Sequence, residues 1–106
     1  MLISEDKAQL DGNFSNFEGK IISIHQQDVV PCALDLLTEL VKYKTITLVA
    51  RGQSIPTAVA VANIVTENMM KGNSKILDII VDSEETHEKS GPSLVSIIKI
   101  TVAKTN

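Results

Sequence analysis

Apolar residues fall in stretches whose spacing switches between a strand-like and a helix-like period. Ile21-Ile22-Ser23-Ile24 is short and rich in β-branched residues, which predicts a strand, and the polar run from His25 to Asp28 ends it. Val30, Leu34, Leu37 and Val41 then recur at helical spacing and predict a helix with these four as its buried stripe. Leu36 and Leu40 widen that stripe into the broad apolar face of a helix packed on a sheet. Asp28 stands where an N-cap is needed, Pro31 falls in the first turn, and Lys42 and Lys44 lie near the negative end.

Thr45 to Ala50 alternates and runs into an apolar block, the pattern of a central strand covered on at least one face. Arg51-Gly52-Gln53 is the turn that follows. Ser54 is placed as an N-cap with Pro56 just inside, and a second helix reaches to about Met70 with Ile55, Val59, Ala62, Val65 and Met69 inward. Lys71-Gly72-Asn73 stops it. Ile76 to Val81 predicts a third strand. Leu94 to Ala103 predicts a fourth, with Ile98, Ile100 and Val102 on one face and Lys99 and Thr101 on the other. The polar residues 83–93 between them are expected to form an extended, mobile hairpin tip.

The order strand, helix, strand, helix, strand, strand predicts an α/β sandwich of the α+β kind, a small sheet with two helices packed on it and an open second face or end. Its strand-helix-strand crossovers are expected to be right-handed. Uncovered apolar surface and the small residues Ala58, Ala60 and Ala62 of the second helix suit packing against another copy.

A length of 106 residues with 43% hydrophobic positions supports one domain and excludes two. Residues 1–19 interrupt the pattern: they hold Glu5, Asp6, Asp11 and Glu18 against Lys7 alone, so they read as an acidic, poorly ordered arm that Phe14 and Phe17 can dock. The domain proper is then 20–106. Aromatics make up 3% of the chain, which excludes modules that stack bases on rows of rings. A net charge of -3 excludes a broad basic surface that coats phosphate backbones. A lone cysteine, Cys32, forms no internal disulfide and suits a reducing, intracellular setting, cytoplasm or nucleus. No targeting pattern or apolar run of membrane-spanning length is present.

No nucleophile, acid–base pair or metal-ligand spacing stands out, so neither catalysis nor a metal or other cofactor is expected. Cys32 reads as a packed, inert thiol, His25 as a loop histidine, and Glu84-Glu85-Thr86-His87-Glu88 as a solvated acidic loop without calcium-loop spacing. The stretch from Val49 to Val59 is more informative. It carries a strand through a glycine turn into a helix N-terminus, where free N–H groups favour anions, with Arg51 beside them. The lysine of a nucleotide P-loop is absent, so an ordinary strand-helix turn is the competing reading.

At these residues the chain resembles the Alba family of small nucleic-acid-binding proteins, over about residues 20–104. The resemblance is carried by Ile22-Ser23-Ile24 and a following polar pair, by Val30-Pro31, by Leu48-Val49-Ala50-Arg51-Gly52-Gln53-Ser54-Ile55, and by the Ala- and Val-rich run 57–65. Asp82-Ser83-Glu84, Val95-Ser96-Ile97-Ile98-Lys99-Ile100 and Ala103-Lys104 complete it. It implies a βαβαββ fold with a four-stranded mixed sheet, a homodimer or a heterodimer with another Alba-like chain, and non-enzymatic binding of RNA or DNA. It also implies roles in chromatin or ribonucleoprotein.

The loop after the first strand, the Arg-Gly turn and the hairpin arm are the implied contacts, which places Gln26, Gln27, Arg51, Gly52, Gln53, His87 and Lys89 at the nucleic acid. Here the chain departs from the family. Gln26-Gln27 replaces a lysine pair, Gln53 stands where a second basic residue is common, and the arm holds more glutamates than bases. Fewer counterion-releasing contacts mean weaker binding, and glutamines suit polar RNA recognition better than DNA coating. The acidic balance equally suits a structural subunit that pairs with a more basic Alba-like chain in a ribonucleoprotein.

Overall fold

A computed structural model describes residues 19–105 of the chain. Of the expected acidic arm, 1–19, residues 1–18 lie outside the described residues. Four strands and two helices follow in the expected order: β1 (Lys20–Ser23), α1 (Val29–Tyr43), β2 (Thr45–Arg51), α2 (Ile55–Ile64), β3 (Ser74–Glu88) and β4 (Gly91–Lys104). A short 3-10 turn, Gly52–Ser54, joins β2 to α2, and a π turn, Val65–Met69, extends α2. The sheet order is β1-β2-β4-β3, with β1 parallel to β2 and the other neighbours antiparallel, so the sheet is mixed.

β2 shows why one face is dry. Ile46, Leu48 and Ala50 are buried in alternation with half-buried Thr45, Thr47 and Val49, and on β4 Ile98, Ile100 and Val102 share their face. Both helices cover that face: Cys32, Ala33, Leu36 and Leu40 of α1 and Ala58, Val61 and Ala62 of α2, with Val65 of the π turn, close one core against it. The opposite face has no helix. There Thr47 and Thr101 meet hydroxyl to hydroxyl at 3.1 Å, and Ile97 and Ala103 are buried apart from the main core.

The predicted stripe of α1 is corrected. Val30, Leu34 and Val41 are 51, 51 and 62% exposed, and Leu37 is partly buried, whereas the face marked by Leu36 and Leu40 is the inward one. The chain carries two apolar stripes on this helix, and periodicity alone does not choose between them. The small residues Ala33 and Cys32 do, because they let the helix axis approach the sheet. Val59 of α2 is likewise exposed rather than inward, while Ala58 and Val61 take the core. Neither Asp28 nor Ser54 makes a side-chain cap hydrogen bond, although each occupies the N-cap position.

The π turn has a local cause. Thr66 donates its hydroxyl to the Ala62 carbonyl at 2.9 Å, and the Met70 N–H reaches back to the Val65 carbonyl at 2.7 Å. That extra residue per turn brings Val65, Thr66 and Met70 into the core together.

The last two strands are longer than predicted. Residues 83–93 are not a loop: β3 and β4 remain paired out to Glu88 and Gly91, and Lys89-Ser90 alone turns the corner. Strand pairing satisfies the backbone of these polar residues as fully as it does that of apolar ones, so composition misled here. β2 accompanies β4 only as far as Ile97, so the outer part of the hairpin is a two-stranded arm. A bulge at Leu77 shifts the register between Ile76 and Asp78, which puts Ile79 and Val81 on the helix side.

Candidate functional site

Parallel pairing of β1 and β2 brings their C-terminal ends side by side, and the chain leaves both there. Ser23, Ile24 and His25 from the first, Val49, Ala50 and Arg51 from the second, and Ser54 from the turn line a half-open crevice of about 130 Å³. It is smaller than the several hundred Å³ that a nucleotide or organic cofactor fills, and of a size for one small anion. α2 starts beside it, continuous with the 3-10 turn: the Ile55 N–H is donated to the Gly52 carbonyl and Pro56 has none, so the first α2 residues offer few donors to an anion and the side chains carry that role.

Gly52 makes the turn possible. Its φ of +52° is a conformation that side chains disfavour, and a Cβ there would lie 3.9 Å from Val95 on β4. The glycine therefore lets the chain reverse against the hairpin while Arg51, still extended at φ -125° and ψ 143°, points along the open face of the sheet. The Arg51 guanidinium is exposed and ion-paired with Glu84 of β3, reaching across β4.

The other residues expected at the site are distributed unevenly. Gln26 is exposed in the loop after β1. Gln27 is exposed too, but its side-chain carbonyl accepts the His25 N–H at 3.0 Å, so part of its polar capacity holds the loop in shape. Gln53 is exposed in the 3-10 turn. His87 and Lys89 lie at the outer end of the arm, five residues or about 17 Å of strand beyond Glu84 for the lysine. Strand alternation also puts His87 on the face opposite Glu84, and hence opposite Arg51. The start of the loop after β1 and the turn after β2 therefore lie together, and the hairpin tip stands apart from them.

Three further residues, His25, Ser54 and Glu84, stand at the crevice or on Arg51 without any local pattern that marks them. By sequence His25 is a loop residue and Ser54 a cap, yet both line the crevice with Arg51. Glu84 has the sequence context of a solvated loop, and only the register of three strands brings it to Arg51. Among the described residues no cluster of His, Cys, Asp or Glu is arranged to hold a metal ion. Cys32 lies buried on α1, where burial first and the nearby Asp35 second push its thiol above the ordinary value, the opposite of an activated nucleophile. No helix among the described residues is long and apolar enough to cross a membrane.

Comparison with known proteins adds the family. The Alba family profile matches residues 20–82, ending where the hairpin leaves the three-strand region. The solved structure of Alba from Thermoplasma volcanium is similar at 29% sequence identity with a TM-score of 0.70, over 79% of this chain and 99% of that one. No curated protein matches.

Proposed function

Because the chain belongs to the Alba family, a non-enzymatic, nucleic-acid-binding family, we propose that it binds RNA in preference to duplex DNA, as a dimer and without catalysis. The observation that carries this reading is the Arg51-Gly52 turn: it presents an exposed guanidinium at the end of β2 and helps to line an anion-sized crevice beside it. A backbone phosphate beside the crevice meets His25, Ser54 and an Arg51 side chain turned from Glu84, while Gln26 and Gln53 reach sugar hydroxyls and base edges. Lys89 and His87 supply a second, distal contact along the strand.

Dimerisation is supported by apolar surface the monomer leaves bare. Ile79, Val81 and Leu94 share the helix side of the hairpin and are 52, 75 and 74% exposed. A second Alba-like chain, identical or not, is the partner such a surface fits. A heterodimer is favoured by one specific feature, the acids Asp82, Glu84 and Glu88 on the Arg51 face of the arm, which a more basic partner would offset.

The test is a salt titration of fluorescence anisotropy with single-stranded RNA and with duplex DNA, on protein whose dimer state is set by light scattering. RNA binding with a slope of about one to three contacts supports the reading. Arg51→Ala is expected to lower RNA affinity about three- to tenfold and to flatten the slope by less than about 0.7, without moving the melting temperature. Unchanged affinity removes Arg51 from the site, and a well-folded dimer that binds neither nucleic acid moves the function to the heterodimeric subunit.

A further inference from the structure

Arg51 already has an anion. Its Nη1 donates to Glu84 Oε1, and the geometry behind that contact is fixed by the sheet. Arg51 lies opposite Ile97 on β4, Ile97 lies opposite Asp82 on β3, and one pair further out on the same face stand Val95 and Glu84. Gly52 packs over Val95, the residue between the two partners. The turn and the hairpin arm are therefore held in register, and the Arg51 side chain spans β4 to reach the arm. Glu85 is next in sequence but faces the other way.

We propose that Glu84 is an internal competitor for the phosphate that Arg51 would bind, an autoinhibitory contact that sets the affinity of the site. The inference rests on the nucleic-acid reading above. Carboxylate and phosphate offer the guanidinium the same paired oxygens, so one replaces the other at the same donor atoms. Both side chains are open to water, 58% exposed for Arg51 and 43% for Glu84, so the exchange requires no unfolding. An exposed pair of this kind is weak, which makes it a modulator rather than a block. Binding thus trades one ion pair for another at Arg51, and the arm is released from the turn as RNA is engaged.

The trade makes specific demands on mutants. Glu84→Gln keeps the shape of the side chain and removes its charge, and it is expected to tighten single-stranded RNA binding about two- to fivefold. It is also expected to steepen the salt slope by up to about 0.7, because no internal pair is then given up. Glu85→Gln makes the same change in net charge without touching Arg51 and is expected to give a smaller gain and no change in slope. In an Arg51→Ala background Glu84→Gln is expected to gain no more than Glu85→Gln does. Anisotropy on these full-length proteins, with a poly-uridine RNA probe and folding checked by circular dichroism, decides the matter. Equal gains from Glu84→Gln and Glu85→Gln, or a Glu84→Gln gain that persists without Arg51, overturn the competitor while leaving RNA binding standing. Binding by none of the proteins overturns both.

Discussion

Leu34 and Leu36 place the rotation of α1 under direct test, because they are the same residue type on one helix and two positions apart. At 100° per residue they point about 200° from each other, so one faces the core and the other faces away. Leu36 is 1% exposed within the core against the sheet, and Leu34 is 51% exposed. Truncating Leu36 to Ala removes a fully enclosed side chain and leaves a cavity, a loss of about 3 to 5 kcal/mol. For a domain of this size each kcal/mol lowers the melting temperature by roughly 4–8 °C, so a fall of well over 10 °C is expected. Truncating Leu34 forfeits about half of the roughly 2 kcal/mol that full burial confers and creates no enclosed void. The better helix propensity of Ala returns a few tenths, so the net loss is below about 1 kcal/mol. Thermal and urea unfolding of both variants, followed by circular dichroism at one protein concentration, measures the ratio. A Leu34→Ala loss equal to or larger than that of Leu36→Ala would refute the inward face assigned to α1.

Other expectations bear on the remaining surfaces. The raised thiol of Cys32 gives a pH dependence whose sign follows from linkage. The unfolded thiol ionises first, at its ordinary value of about 8.5, so stability is complete below that pH and is lost as pH rises toward the higher folded value. Urea midpoints between pH 7 and 10 should fall more steeply for the natural protein than for Cys32→Ala, and parallel curves would count against burial of the thiol. Leu94→Glu puts a charge on the bare helix-side patch of the hairpin, where the side chain is 74% exposed. It is expected to leave the melting curve of the monomer intact and to shift light scattering from dimer to monomer; an unchanged dimer moves the interface elsewhere.

Much of the fold was legible because β2 and β4 obey a period of two without ambiguity, and because Arg51-Gly52 and Pro56 punctuate the passage from strand to helix. The sequence was less explicit wherever two patterns overlapped. On α1 the stripe of Val30, Leu34 and Val41 has larger residues than the stripe through Cys32, Ala33 and Leu36, and bulk was a poor guide because close packing selects small side chains. On the hairpin, Glu, Ser, Thr and His look like loop residues, yet a strand exposed on both faces needs no apolar alternation. The site was half legible for the same reason. Arg51 and Gln26 announce themselves by local context, whereas the pairing with Glu84 depends on a register across three strands that no local pattern encodes.

The arm beyond Ile97 has a further consequence, for how the molecule opens. Backbone amides of Leu48 and Ile100 sit in strands flanked on both sides and over a closed core, so their exchange with solvent waits for global unfolding. Those of Thr86 and Ser93 are held by one partner strand and no core, and they exchange through a local fraying of the ribbon at far lower cost. The protein thus carries two breathing modes with separate free energies. A ligand gripping only the arm damps the faster mode while leaving the slower one in step with overall stability, and so records its own footprint in the exchange of the arm's paired amides.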